Sequence, residues 1–132
     1  MAKKAVTSPR VHEPPGGGTY SQAFVTSGKT VYVAGMTARD EKGELVGEGD
    51  IRAQTKAVLD NMKAVLEAAG AAMTDVVKLT VFMKDLTQAA HVREIRQQYF
   101  SRPYPASTLV EISRLADERF LIEIEAVAVI GD

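Results

Sequence analysis

Tyr104-Pro105-Ala106-Ser107-Thr108-Leu109-Val110-Glu111-Ile112, followed by Phe120-Leu121-Ile122-Glu123-Ile124-Glu125-Ala126-Val127-Ala128-Val129, decides how the chain folds. Runs rich in Val, Ile and Leu read as strands. In the second run, alternation places Leu121, Glu123, Glu125 and Val127 on one face and Ile122, Ile124, Ala126 and Ala128 on the other. Carboxylates flanked by such neighbours need a partner or a task.

Working back from that pair, residues 74–83 alternate Val77, Leu79, Val81 and Met83 against Lys78, Thr80 and Phe82, a third strand with one apolar face. Between them, Thr87 is placed to cap a helix running through Phe100, with Val92, Ile95 and Tyr99 inward and a stop at Arg102-Pro103. Further back, Asp50 caps a helix from Ile51 to about Ala69, ended by Gly70. Ile51, Thr55, Val58, Leu59, Met62, Val65 and Leu66 recur there at helical spacing. Residues 40–49 are polar, carry three glycines and read as an exposed, mobile loop. Ala23–Thr26 and Thr30–Ala34, joined at Ser27-Gly28-Lys29, predict a β-hairpin. Residues 1–18, with Pro14-Pro15-Gly16-Gly17-Gly18, read as an N-terminal loop segment of one domain spanning 1–132. The expected order is β-β-α-β-α-β-β.

Composition narrows the function classes. A chain of 132 residues that is 45% hydrophobic buries one core. A formal net charge of −1 gives no general attraction to nucleic acid or anionic membrane, so neither is expected as a partner. Without cysteine there is no thiolate nucleophile, and His12 and His91 are too few for a histidine metal centre, so no metal or other cofactor is expected. No apolar run approaches membrane-spanning length, and the N-terminus lacks a signal peptide's apolar core; the reading is a soluble, cytoplasmic protein. Two helices cannot cover both faces of a five- or six-stranded sheet, which points to a homo-oligomer in which further copies cover the second face.

Several patches, in order, resemble the Rid family of reactive intermediate deaminases: Gly18-Thr19-Tyr20-Ser21-Gln22, Val33-Ala34-Gly35-Met36, Leu66-Glu67-Ala68-Ala69-Gly70, residues 77–86, and the C-terminal stretch quoted first. The resemblance implies an α+β, chorismate-mutase-like domain. It also implies a mixed sheet with two helices on one face, assembled as a homotrimer around a central sheet barrel with ligand clefts between subunits. It further implies hydrolysis of a small enamine or imine. The enamine tautomerises, water adds to the imine carbon, and the carbinolamine expels ammonia, which needs a carboxylate and a positioned water but no cofactor.

Carried over position by position, Tyr20 matches the family's cleft tyrosine and Glu123 the glutamate that holds the hydrolytic water or relays the proton. Ala34, Gly35, Met36 and Leu109 fall on cleft-lining positions, with Ala34 and Met36 less polar than in deaminating members. Ser107 stands where those members carry the arginine that grips the substrate carboxylate. A serine cannot supply that charge, so 2-aminoacrylate itself is not the expected substrate. The expected ligand is a small enamine, imine or carboxylate. On residue type alone Arg93, Arg96 and Arg102 read as solvated charges; the resemblance singles out Arg93 as the one placed to restore a cation. Glu125 reads as structural and His91 as surface. The competing reading is a binding protein that holds a carboxylate metabolite without turnover.

Overall fold

The computed structural model describes residues 3–131; Met1 and Ala2, the start of the expected N-terminal loop, and Asp132 lie outside the described residues. In chain order the elements are β1 (Lys3–Val6), β2 (Ala23–Thr26), β3 (Lys29–Met36), α1 (Ile51–Ala68), β4 (Val76–Met83), α2 (Ala89–Arg96), β5 (Ala106–Glu111) and β6 (Ile122–Ile130). The main sheet has four strands in the order β3-β6-β4-β5, with β4 and β5 parallel and the other pairs antiparallel. Both helices lie on one of its faces, giving the α+β architecture anticipated from the sequence.

The burial pattern follows side-chain alternation closely. Val76, Leu79, Val81 and Met83 of β4 and Ile122, Ile124, Ala126 and Ala128 of β6 face the helices and are buried, with Val76 in place of Val77 because the register against β6 shifts between Val76 and Lys78. They meet Val58, Leu59, Met62 and Leu66 of α1 and Val92 and Ile95 of α2 in one core. Asp50 accepts from the backbone N–H of Arg52 at 3.0 Å and of Ala53 at 3.1 Å, which fixes the start of α1 as expected. Gln54, fully buried in α1, donates to the carbonyls of Gly47 and Arg119 at 3.1 and 2.9 Å and accepts from Leu121 N–H at 2.8 Å. One amide thereby satisfies three backbone groups of two loops.

Four expectations need correction. Lys3–Val6, inside the segment read as loop, forms a strand paired with β2. The predicted hairpin does not form, because β2 belongs to that separate two-stranded sheet while β3 pairs with β6. Gly28 shows why the turn is used differently. Its φ is +116°, and a Cβ there would lie 2.2 Å from the carbonyl oxygen of Ile130, so the turn runs against the end of β6 and the chain passes between sheets. The second helix is also shorter than predicted. Asp85, rather than Thr87, accepts the capping bond from Thr87 N–H, and a 3-10 turn over Leu86–Gln88 precedes α2. Finally, the 40–49 loop is exposed but tied. Asp40 accepts from the N–H groups of Lys42 and Glu44, Val46 N–H donates to the Ala38 carbonyl, and Arg39 and Leu45 form a bridge.

The register also contains a bulge. Val33 pairs with Ala126 and Met36 with Ile124, so Ala34 and Gly35 together oppose Glu125 alone. On the sheet face away from the helices, Tyr32 is 80% exposed and Val110 36% exposed, as expected of a face that lacks a covering layer within the protomer.

Candidate functional site

A cleft of about 420 Å³ opens between α2, edge strand β5 and the glycine-rich loop before β2. Its α2 wall is built from Ala89, Val92, Arg93 and Arg96, which recur at i, i+3, i+4 and i+7 and so share one helical face. Ser107 and Leu109 rise from β5; they pair in register with Leu79 and Val81 and therefore point to the helix side of the sheet. Pro14, Gly18, Thr19 and Tyr20 close the third side.

The loop that carries Tyr20 is fastened at several points. Arg102 donates to the carbonyl of Gly16 at 2.9 Å, and its guanidinium lies over the Tyr104 ring, 5.2 Å from the centroid. Ser21 donates from its backbone N–H to the Pro105 carbonyl at 3.2 Å and from its hydroxyl to the Tyr104 carbonyl, and bridges to Ala106 at the start of β5. Gly16, Gly17 and Gly18 all have positive φ, which lets so short a segment turn back toward β5. Arg102 thus stays at the surface, as its residue type suggested, yet ties the glycine-rich loop to the segment that leads into β5.

Arg96 is where structure and sequence reading part company. Its guanidinium is only partly solvated. It is half-buried, Nη2 donates to Ser107 Oγ at 3.1 Å, and Nε is shut off from solvent with no hydrogen-bond partner. No carboxylate pairs with it among the described residues. Burial, with Arg93 as a second and smaller cause, pushes its pKa down to about 10, which still leaves it charged at neutral pH. Arg93, the cation singled out beforehand, also lines the cleft but is exposed and makes no side-chain hydrogen bond or ion pair among the described residues. A signal for Arg96 was present in the sequence: it lies four residues after the inward-facing Val92, on the flank of the apolar stripe of α2.

The cleft therefore gathers Tyr20, Arg93, Ser107 and Leu109, together with Arg96, Thr19 and Pro14, which the sequence reading did not select. It does not gather Ala34, Gly35, Met36 or Glu123. Glu123 pairs with Phe82, and both lie on the sheet face opposite Leu79 and Ser107. There the Glu123 carboxylate is half-buried and makes no hydrogen bond or ion pair with any described residue. It packs directly over Gly35, where an added Cβ would fall 2.0 Å from Oε2. Met36 pairs with Ile124 and packs against the core. Glu125 is exposed, and His91 is exposed beside Arg52.

The contact at Gly35 has a measurable consequence. Gly35→Ala forces the flexible Glu123 carboxylate aside without straining the backbone. The expected result is a stability changed by less than about 1 kcal/mol, read by urea unfolding. A much larger loss would show that the carboxylate is held in place and cannot give way.

No metal-binding cluster of His, Cys, Asp or Glu occurs among the described residues, and no described helix is long and apolar enough to cross a membrane. Comparison with known proteins places these features in context. A family model described as endoribonuclease L-PSP matches residues 11–130. A RutC family protein of Pyrococcus abyssi is 46% identical over 129 residues, covering 97% of this chain and 98% of its own. A protein of Dermatophagoides farinae named 2-iminobutanoate/2-iminopropanoate deaminase is 34% identical over 128 residues, 97% of each chain. Among solved structures, a Yersinia pestis protein of unknown function from the conserved Rid protein family superposes with a TM-score of 0.89. It is 34% identical, and the match covers 98% of this chain and 100% of that one.

Proposed function

The chain belongs to the Rid family, also called the YjgF/YER057c/UK114 family, and from that membership we propose that it hydrolyses a small enamine or imine in a cleft completed by a second copy of itself. The observation that carries this reading is the Arg96–Ser107 pair. Strand β5 presents a serine where deaminating relatives present an arginine, and α2 supplies a guanidinium to the same spot from the side. A half-buried guanidinium with no carboxylate beside it is prepared for an incoming one, because the ligand restores both the missing charge and the missing hydrogen bonds.

In this mechanism Arg96 and Ser107 hold the substrate carboxylate and Tyr20 covers it at the mouth. Glu123 positions the water that adds to the imine carbon, takes its proton, and returns it to nitrogen as the carbinolamine collapses to a ketone and ammonia. Because Glu123 stands on the other face of the sheet from Arg96, the carboxylate that serves one cleft comes from a neighbouring copy. The exposed face bearing Tyr32 and Val110 suits burial by such neighbours, and a trimer around these faces is the assembly that fits the family.

The test follows imines of monocarboxylic 2-amino acids, generated in situ by an amino acid oxidase, through imine absorbance and ammonia release. Decay faster than in buffer, saturating with imine concentration, is the expected result. Decay at the buffer rate with every imine, together with measurable binding of 2-oxo acids, would replace this reading with carboxylate binding without turnover.

A further inference from the structure

The family relation accounts for one cation at this cleft, yet the cleft holds two. Arg93 and Arg96 stand one turn apart on the same face of α2, and no acidic side chain lines the cavity. Neither forms an ion pair among the described residues, whereas Arg52, on α1, is paired with Glu94 of the same helix α2 at 3.1 Å. Like charges are therefore left facing one another around a cavity otherwise walled by Ala89, Val92 and Leu109. Within the protomer that arrangement costs stability and leaves the cleft open to negative charge brought from outside it.

We infer that the two arginines select a substrate with two carboxylates: the 2-imino carboxylate on Arg96 and Ser107 within the cleft, and a second carboxylate, carried on a short side chain, on the exposed Arg93. The apolar wall favours a carbon chain linking the two charges over a compact inorganic dianion. The preferred substrates are then the imines of aspartate and glutamate. Hydrolysis balances as for any imine: C=N gains water, and 2-oxo dicarboxylate and ammonia leave. This inference rests on the deaminase reading for its chemistry but not for its binding claim.

The experiment has two arms. In the first, kcat/KM is compared for the imines of aspartate and glutamate against those of alanine and 2-aminobutanoate, in the native protein and in Arg93→Gln. A preference of at least about tenfold for the dicarboxylates is expected, with Arg93→Gln lowering their kcat/KM about tenfold more than that of the monocarboxylates. In the second, calorimetry measures binding of succinate, 2-oxoglutarate, 2-oxobutanoate and inorganic phosphate to the same two proteins. Tighter binding of the dicarboxylates that Arg93→Gln removes supports the inference even if no imine is turned over, in which case the deaminase reading alone fails. Equal affinity for mono- and dicarboxylates, phosphate binding tighter than either, or a loss in Arg93→Gln common to all ligands overturns it.

Discussion

Replacing Arg96 by Met is expected to make the protein more stable and far less active. Methionine keeps an unbranched stem of similar reach, so the wall of the cleft between Val92 and Ser107 stays filled. What disappears is a half-buried charge without a counter-ion, held down to a pKa of about 10 chiefly by desolvation. The sign follows from proton binding. Above about pH 10, and below the higher ordinary value of a free guanidinium, the unfolded chain binds the proton that the folded chain has released, so native stability rises with pH in that window. Below it, the full cost of the charge is present. The variant should gain about 1 kcal/mol at neutral pH, offset in part by the lost bond to Ser107, and its advantage should shrink as pH rises above 10. Activity moves the other way. Losing a charge-assisted grip on the substrate carboxylate lowers kcat/KM by about a hundredfold. Urea unfolding and imine turnover measured on one preparation decide the matter. A variant that is less stable and equally active would make Arg96 a structural residue.

Glu123→Gln should lower kcat by about a thousandfold while leaving KM nearly unchanged, because the amide keeps shape and hydrogen bonding but cannot take a proton. The stronger test combines the two variants. Glu123→Gln and Arg96→Met protomers are each nearly inactive alone. Unfolded together and refolded at equal ratio, they are expected to give a population of trimers in which about a quarter of all clefts join an intact Arg96 to an intact Glu123 of the next copy. Recovery of about that share of native activity is expected. No recovery, with mixed oligomers shown to form, would mean that the two residues do not serve one cleft across a subunit boundary.

The elements that alternation or helical spacing governs were legible in the sequence. The strands at 76–83 and 122–130 and the helix at 51–68 all appear where their apolar periodicity put them. Pairing was less legible. Ser27-Gly28-Lys29 is as good a hairpin turn as any by composition, and only the carbonyl of Ile130, more than a hundred residues away, shows that Gly28 serves a close approach instead. The bulge at Ala34-Gly35 was equally hidden, since nothing local distinguishes two residues opposed by one from an ordinary ladder. At the site, Tyr20, Ser107 and Leu109 were found by matching positions along a line. Arg96 was missed because by residue type it reads as a solvated charge, and its meaning arises from a neighbour eleven residues away on another element.

That the cation rides on α2 and not on β5 bears on how this cleft can change over time. A strand position is locked by its ladder: a slip of one residue turns its side chain to the opposite face and breaks every pair with β4. A helix carries no such ladder: α2 rests on the core through Val92 and Ile95 and on α1 through a solvent-facing ion pair between Arg52 and Glu94, and just past its end the Tyr99 hydroxyl donates to Asp60 at 2.6 Å. Slight sliding or rotation of α2 would relocate the charge while the sheet stayed in register. Specificity and architecture are in this way inherited separately, and the same scaffold can be retuned to a new ligand by substitutions confined to one exposed helix.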